Sequence, residues 1–286
     1  AAQAAANASA RQLPDILPPG LLPPSVAAAM KAAEAQAFVA ALQSVLDEVD
    51  LEAKEFLLRA SRYQEALLNN VSASGVHAVE ALEAWVLANV GPVRWSFDAM
   101  VEKFNMFAPA AVAVVGVLGL DNLATALQAA VESIQSQAQV IDATLSNASD
   151  IVSALANATE GQIYILQERL YRTAKGGIAK AVTFETAFFK IVKDVITAVA
   201  DPLGISIGSN STQKTKSPLA KSMEALLQKV DAIASKILQA WEKLFLGTSE
   251  ASEVAVDKLE HSKKSGSEGL RLSCGLLLLV MRLAIH

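Results

Sequence analysis

Three histidines, His77, His261 and His286, and one thiol, Cys274, are the side chains of this 286-residue chain best suited to nucleophilic or metal chemistry. His77 and Glu80 stand three residues apart, one turn of a helix, and so share a face. A di-metal site in a helical bundle needs two Glu-x-x-His motifs and further inward carboxylates. Here the motif occurs once and in reversed order, so no metal site is expected. Glu80 and Glu83 have the look of paired carboxylates, but their helical spacing reads as a solvated face. Cys274 has no histidine partner in sequence, and a Ser-His-Asp arrangement cannot be recognised from chain order. Gly116-x-x-Gly119 lacks the lysine of a phosphate loop, and Gly176-Gly177 lacks the rest of a nucleotide motif. No catalytic residue, metal or cofactor is predicted, and the chain reads as a non-enzyme.

The charge pattern excludes a further class. A net charge of −5 and a pI near 5.3 oppose phosphate-backbone binding, which needs a clustered basic face. Lys214, Lys216 and Lys221 are the closest approach to one and read as a solvated loop. No nucleic-acid partner is expected.

The elements are more legible than the chemistry. From Leu120 to Thr159 two rows of residues recur every seven positions. One is Leu120, Leu127, Ile134, Ile141, Ala148 and Leu155; the other is Ala124, Val131, Ala138, Leu145, Val152 and Thr159. Alternating steps of four and three make an uncharged stripe on one helix face, the pattern of helices packed side by side. A second pair of rows, Leu42-Val49-Phe56-Tyr63 and Leu46-Ala53-Ala60-Leu67, marks a helix over about 25–70. A third seam, Met223, Leu226, Val230, Ile233, Ile237, Ala240 and Leu244, widened by Trp241 and Phe245, follows Ser217-Pro218, the favoured order of cap then proline. Helices are also predicted over 76–90 and 178–200. Breaks or bends are expected at Asn69–Gly75, Gly91-Pro92, Gly161 and Gly176-Gly177. Apolar residues make up 52% of the chain and aromatics only 5%, which suits closely packed Ala/Leu/Val helices. A single cysteine excludes an internal disulfide, so packing must hold the fold together. The predicted fold class is all-α: an elongated antiparallel bundle of four to five long amphipathic helices with coiled-coil-like seams.

Three regions follow from this pattern. Residues 1–24 form a Pro-rich extended arm in which Ile16, Leu17, Leu21 and Leu22 are interleaved with prolines. Residues 25–247 form the bundle, with a loop at 201–217. Residues 248–286 form a polar linker and an apolar tail. Ser265-Gly266-Ser267 followed by Leu276 to Ile285 loosely fits a glycolipid-anchor signal, against which Arg282 counts.

Residues 93–120 are the segment most suggestive of function. Trp95, Phe104 and Phe107 lead into Ala108–Leu120, which carries no polar side chain and includes Val114, Val117 and Leu118. The run is shorter than the about 20 residues of a membrane-crossing helix. It reads either as a membrane- or partner-contacting element or as the central core helix. The arrangement of amphipathic helices flanking a short apolar run resembles that of helical pore-forming toxins over roughly 25–175, in pattern only. Exchangeable lipid carriers have a similar seam.

Five of the nine asparagines sit in Asn-x-Ser/Thr: Asn7, Asn70, Asn147, Asn157 and Asn210. This points to a secreted glycoprotein or a membrane-associated, extracytosolic one; an organelle protein whose targeting peptide has been removed is the alternative. The sequence thus predicts a non-catalytic structural subunit or adaptor with protein partners. A membrane-acting or lipid-binding bundle using residues 108–120 is the second reading.

Overall fold

The computed structural model describes residues 24–117, 121–200 and 217–283. Five long helices account for nearly all of them: α1 Pro24–Ala73, α2 Ala78–Val117, α3 Asp121–Ala156, α4 Glu160–Ala200 and α5 Pro218–Leu283. No strand occurs among the described residues, and the fold is an all-α bundle. At 1.5 Å per residue, the helices range from about 54 Å for α3 to about 100 Å for α5.

The turns are short and specific. α1 ends where Gly75 adopts φ +55°, a left-handed conformation open to glycine, and a single 3-10 turn, Gly75–His77, leads into α2. α3 and α4 are separated by residues 157–159. The Gln162 side chain reaches back to the start of α4: its Oε1 accepts the Thr159 backbone N–H at 3.1 Å and the Thr159 hydroxyl at 2.8 Å. Thr-x-x-Gln is the sequence of a capping box, of which the half made by the Gln side chain is formed, satisfying the Thr159 N–H at the helix start. Ser217 caps α5 by accepting the Ala220 N–H at 3.2 Å.

Each helix packs on the next in sequence, and α5 returns to pack on α1, so the five close into a ring; α2 also touches α5 across the centre. Short turns make consecutive helices antiparallel, as the pairs Glu48–Lys103 and Arg59–Pro92 show for α1 and α2. An odd number of helices cannot alternate all the way round. The leftover like-directed pair is α1 and α5, whose contacts Tyr63–Thr248, Gln64–Glu250 and Asp50–Lys236 span 185, 186 and 186 residues. A near-constant separation is the signature of parallel alignment. The antiparallel arrangement read from the sequence therefore holds for consecutive helices, with this one exception.

The heptad rows become the core. Every residue of both α1 rows is buried, and so is the α5 seam with Trp241 and Phe245. On α3, Ile134, Ile141, Leu145, Ala148, Val152 and Leu155 are buried. Thr159 leaves its row, because α3 has ended before it.

The turn expected over Asn69–Gly75 is present at its C-terminal end, α1 running through Asn69 and Asn70 to Ala73. Other expected breaks are not breaks. α2 continues through Pro92 and Pro109, α4 through Gly176-Gly177, and α5 through Gly247 to Leu283. The glycines have a packing reason. A Cβ on Gly177 would sit 2.5 Å from the Phe245 ring, and one on Gly247 would sit 2.7 Å from Gln64 Cγ. At these points α4 and α1 pack against α5 with no room for a side chain. The polar stretch after Gly247 is core as well: Thr248, Ser249, Ala251, Ser252, Ala255 and Val256 are all buried. Its hydroxyls are satisfied within the helix, Thr248 Oγ1 donating to Leu244 O at 2.7 Å and Ser252 Oγ to Ser249 O at 2.6 Å.

Candidate functional site

The residues best suited to chemistry do not converge. His77 is exposed in the 3-10 turn, Glu80 is exposed in the first turn of α2, and His261 is exposed on α5. His261 Nδ1 lies 2.8 Å from the carbonyl of Asp257 in the preceding turn. The side chains of Cys274 and His286 lie outside the described residues, as do Lys214 and Lys216. Among the described residues no three His, Cys, Asp or Glu side chains gather where they could hold a metal ion.

The segment 93–107 divides by face. Phe97 and Met100 are buried, whereas Trp95 is 60% exposed and Met106 is equally so. The Arg59 guanidinium lies over the Trp95 ring, 5.2 Å from its centroid, and its Nη1 donates to the Pro92 carbonyl at 3.2 Å. Residues 108–117 continue α2 as helix. The side chains of Phe104, Phe107, Val114 and Val117, and all of Leu118, lie outside the described residues. No helix among the described residues is long and apolar enough to cross a membrane. Of the sequons, Asn147 and Asn157 are exposed, and Asn70 is half-buried in the last turn of α1. Asn7 and Asn210 fall outside the described residues.

Two features that periodicity could not locate dominate the interior. The first is an aromatic nest. Trp241 meets Phe97 at 4.9 Å and Phe56 at 5.1 Å, both edge-on, and stacks on Phe245 at 5.6 Å; Phe184 closes on Phe97 at 5.3 Å. Four helices thus meet through five rings, in arrangements that suit aromatic quadrupoles. The indole Nε1 of Trp241 and the hydroxyl of Ser96 are buried there without hydrogen-bond partners.

The second is ionic. Asp50, 9% exposed on α1, accepts from Lys236 of α5 and from Lys54 at 2.6 Å, and Asp47 pairs with Lys229 beside it. Burial alone would raise the Asp50 pKa, but the two ammonium groups hold it below the usual carboxylate value. Burial, with Lys236 adding to it, lowers Lys229. On the opposite side of the ring, Arg94 Nη2 bonds Asp142 Oδ2 at 2.7 Å, joining α2 to α3, and Arg94 Nε lies 3.6 Å from Asp98. Here burial wins: Asp98 and Asp142 are both raised against the pull of Arg94.

The two clusters therefore respond oppositely to acid. Asp50, depressed in the folded state, contributes stability at neutral pH that is lost as pH falls through about 4 and below. Asp142, raised in the folded state, binds its proton more readily there and opposes that loss. Asp50→Asn should flatten the fall in melting temperature between pH 5 and 3, and Asp142→Asn should steepen it. Thermal melts of the three proteins across that range check the signs; parallel curves would refute the assignment.

These clusters tie helices together. Arg94 and its carboxylates are a structural clasp, and the Asp50 lysines neutralise a buried charge. Comparison with protein-family models, with curated proteins and with solved structures gives no match to this chain.

Proposed function

We propose that this chain is a non-catalytic helical interaction protein, a subunit or adaptor of a larger assembly. The observation that supports this reading is the set of large apolar side chains left on the outer faces: Ile165 at 69% exposed, Leu51 at 66%, Trp95 at 60%, with Tyr164, Leu87 and Met106. Aromatic and Arg residues such as Trp95 and Arg59 are the types that anchor interfaces. The interior, by contrast, is spent on ring closure. Cross-linking and light scattering of protein from its native source test the proposal. The expected result is a defined complex that weakens in the Trp95→Ala, Ile165→Ser double variant, with melting unchanged. A stable monomer with no cross-linked species refutes it.

A second reading, a membrane-acting or lipid-binding bundle, is favoured by the apolar end of α2, Ala108–Val117. The same preparations, floated with liposomes, discriminate the two. Flotation lost in a folded Val114→Asp, Val117→Asp variant would favour lipid.

A further inference from the structure

The outer face of α4 carries a shallow, almost wholly apolar depression lined by Tyr164, Ile165, Glu168, Arg169 and Arg172. Four of these, Ile165, Glu168, Arg169 and Arg172, stand at i, i+3, i+4 and i+7. Such a diamond on a helix surface is the hole that receives a knob from a facing helix. Ile165, at its corner, is 69% exposed. We propose that the occupant is a second copy of this chain, whose α1 lies along α4 and inserts Leu51 and Leu58. The proposal rests on the reading of the chain as a subunit of an assembly, and it names the partner as the chain itself.

Spacing is the first argument. Leu51 and Leu58 are 66% and 44% exposed and stand seven residues apart, on the row of α1 turned away from the ring. A second hole begins seven residues along α4, bounded by Arg172, Lys175, Gly176 and Ala179. Its other three corners are exposed, Gly176 is half-buried, and a Cβ on Gly176 would meet nothing within 4 Å, so this hole is open too. Two knobs one heptad apart therefore meet two holes one heptad apart. The match holds whichever way the two helices run.

Charge is the second. Glu55 stands between the two leucines, four residues after Leu51 and three before Leu58. Arg172 is the corner that the two holes share. With both leucines seated, the Glu55 carboxylate and the Arg172 guanidinium meet at the centre in either direction. Glu52 flanks that centre on α1, and Arg169 and Lys175 flank it on α4. Within one chain Glu55 is held by Arg59 and Arg172 by Glu168, each at 2.7 Å. Those are exposed i,i+4 pairs, weak enough to exchange partners. The complementarity extends along the helices: acidic residues outnumber basic ones seven to four in α1, and basic outnumber acidic six to four in α4. Opposite charges beside an apolar seam select which helices pair and in what register.

α5 packs between α1 and α4 in the ring, so the two faces point to different sides of the bundle. A copy that inserts its α1 into one partner still offers its α4 to another. The contact is heterologous, and it propagates into an open filament or closes into a ring of copies.

Sedimentation velocity of the purified full chain over a concentration series tests this, with wild type, Leu51→Arg and Ile165→Arg. Both substituted side chains are about two-thirds exposed, so folding is preserved, and thermal melts check it. An arginine at position 51 would face Arg172, and one at position 165 would fill the hole. Wild type is expected to form species larger than a dimer, whose share rises with concentration. Each variant alone should lose every species above the monomer. An equimolar mixture of the two should recover a dimer and nothing larger, because the intact α1 face of one meets the intact α4 face of the other at a single junction. A monomeric wild type, a variant that still dimerises alone, or a mixture that stays monomeric would overturn the proposal. A monomeric purified chain beside a cross-linked complex from the native source would remove the second copy as partner and leave the subunit reading standing. Monomer in both preparations would remove both.

Discussion

Trp241→Ala is expected to destabilise the bundle by about 3–5 kcal/mol, the range for deleting a large aromatic from a packed core. Trp241 is fully buried and touches rings from α1, α2 and α5 itself. Its loss would open a void where α2 crosses to α5 inside the ring, and the neighbouring rings cannot all collapse into it. Trp241→Phe should cost less, since it keeps part of the volume and removes an indole N–H that is buried without a partner. The reference is Trp95→Ala on the outer face, expected to change stability by about 0.5 kcal/mol or less apart from its contact with Arg59. Urea unfolding of the three variants ranks them. A Trp241→Ala protein as stable as Trp95→Ala would mean that the nest does not hold the ring.

The second large effect is a contrast between neighbours. Gly176 and Gly177 are adjacent in the middle of α4, yet a Cβ on Gly176 would meet nothing within 4 Å, while one on Gly177 would be driven into the Phe245 ring. Gly176→Ala should therefore stabilise by about 0.5–1 kcal/mol, the cost of glycine inside a helix. Gly177→Ala should destabilise by about 1–3 kcal/mol, because the ring that must yield is itself wedged against Trp241. Opposite signs from one methyl group at consecutive positions are the result to look for in denaturation curves. Two stabilised proteins would show that Phe245 repacks freely.

The same two glycines show what was legible in the sequence and what was not. Composition and local propensity read Gly176-Gly177 as a break, because glycine weakens a helix wherever it occurs. Only the position of Phe245, 68 residues away in sequence, explains why α4 accepts that weakness. Gly247 and the Ser/Thr-rich stretch beyond it misled for a related reason: small hydroxyl residues resemble a surface linker, yet Thr248 and Ser252 bond their own helix and sit in the core. The start of α4 was readable, since Thr159-x-x-Gln162 is a capping signature, and Gly161 drew attention away from it. The heptad rows of α1 and α5 identified buried faces residue by residue, and those of α3 did so from Ile134 to Leu155 except at Ala138, which is half-buried; the side chains of Leu120, Ala124 and Leu127 lie outside the described residues. A heptad row names a face, not its partner, so the closed ring, its single parallel pair and the aromatic nest lay beyond the pattern. Of the candidate contact residues, Trp95 is exposed on the outer face. The aromatic neighbour two positions on, Phe97, belongs to the core, because a two-residue step turns a helix by more than half its circumference.

The parallel pairing of α1 with α5 has a mechanical consequence. Because both helices run the same way, Pro24 and Leu283 point to opposite ends of the bundle. Tension applied between those two positions pulls the helices lengthwise past each other. Asp47–Lys229, Asp50–Lys236, Tyr63–Thr248 and Gln64–Glu250 then share the load at once, along with the interlocked side chains between them. An antiparallel pair pulled from its adjacent ends would lose its contacts in succession, like a zip. Forced unfolding is governed by the barrier to rupture rather than by equilibrium stability, so this ring should resist stretching along its length more strongly than its melting alone would suggest.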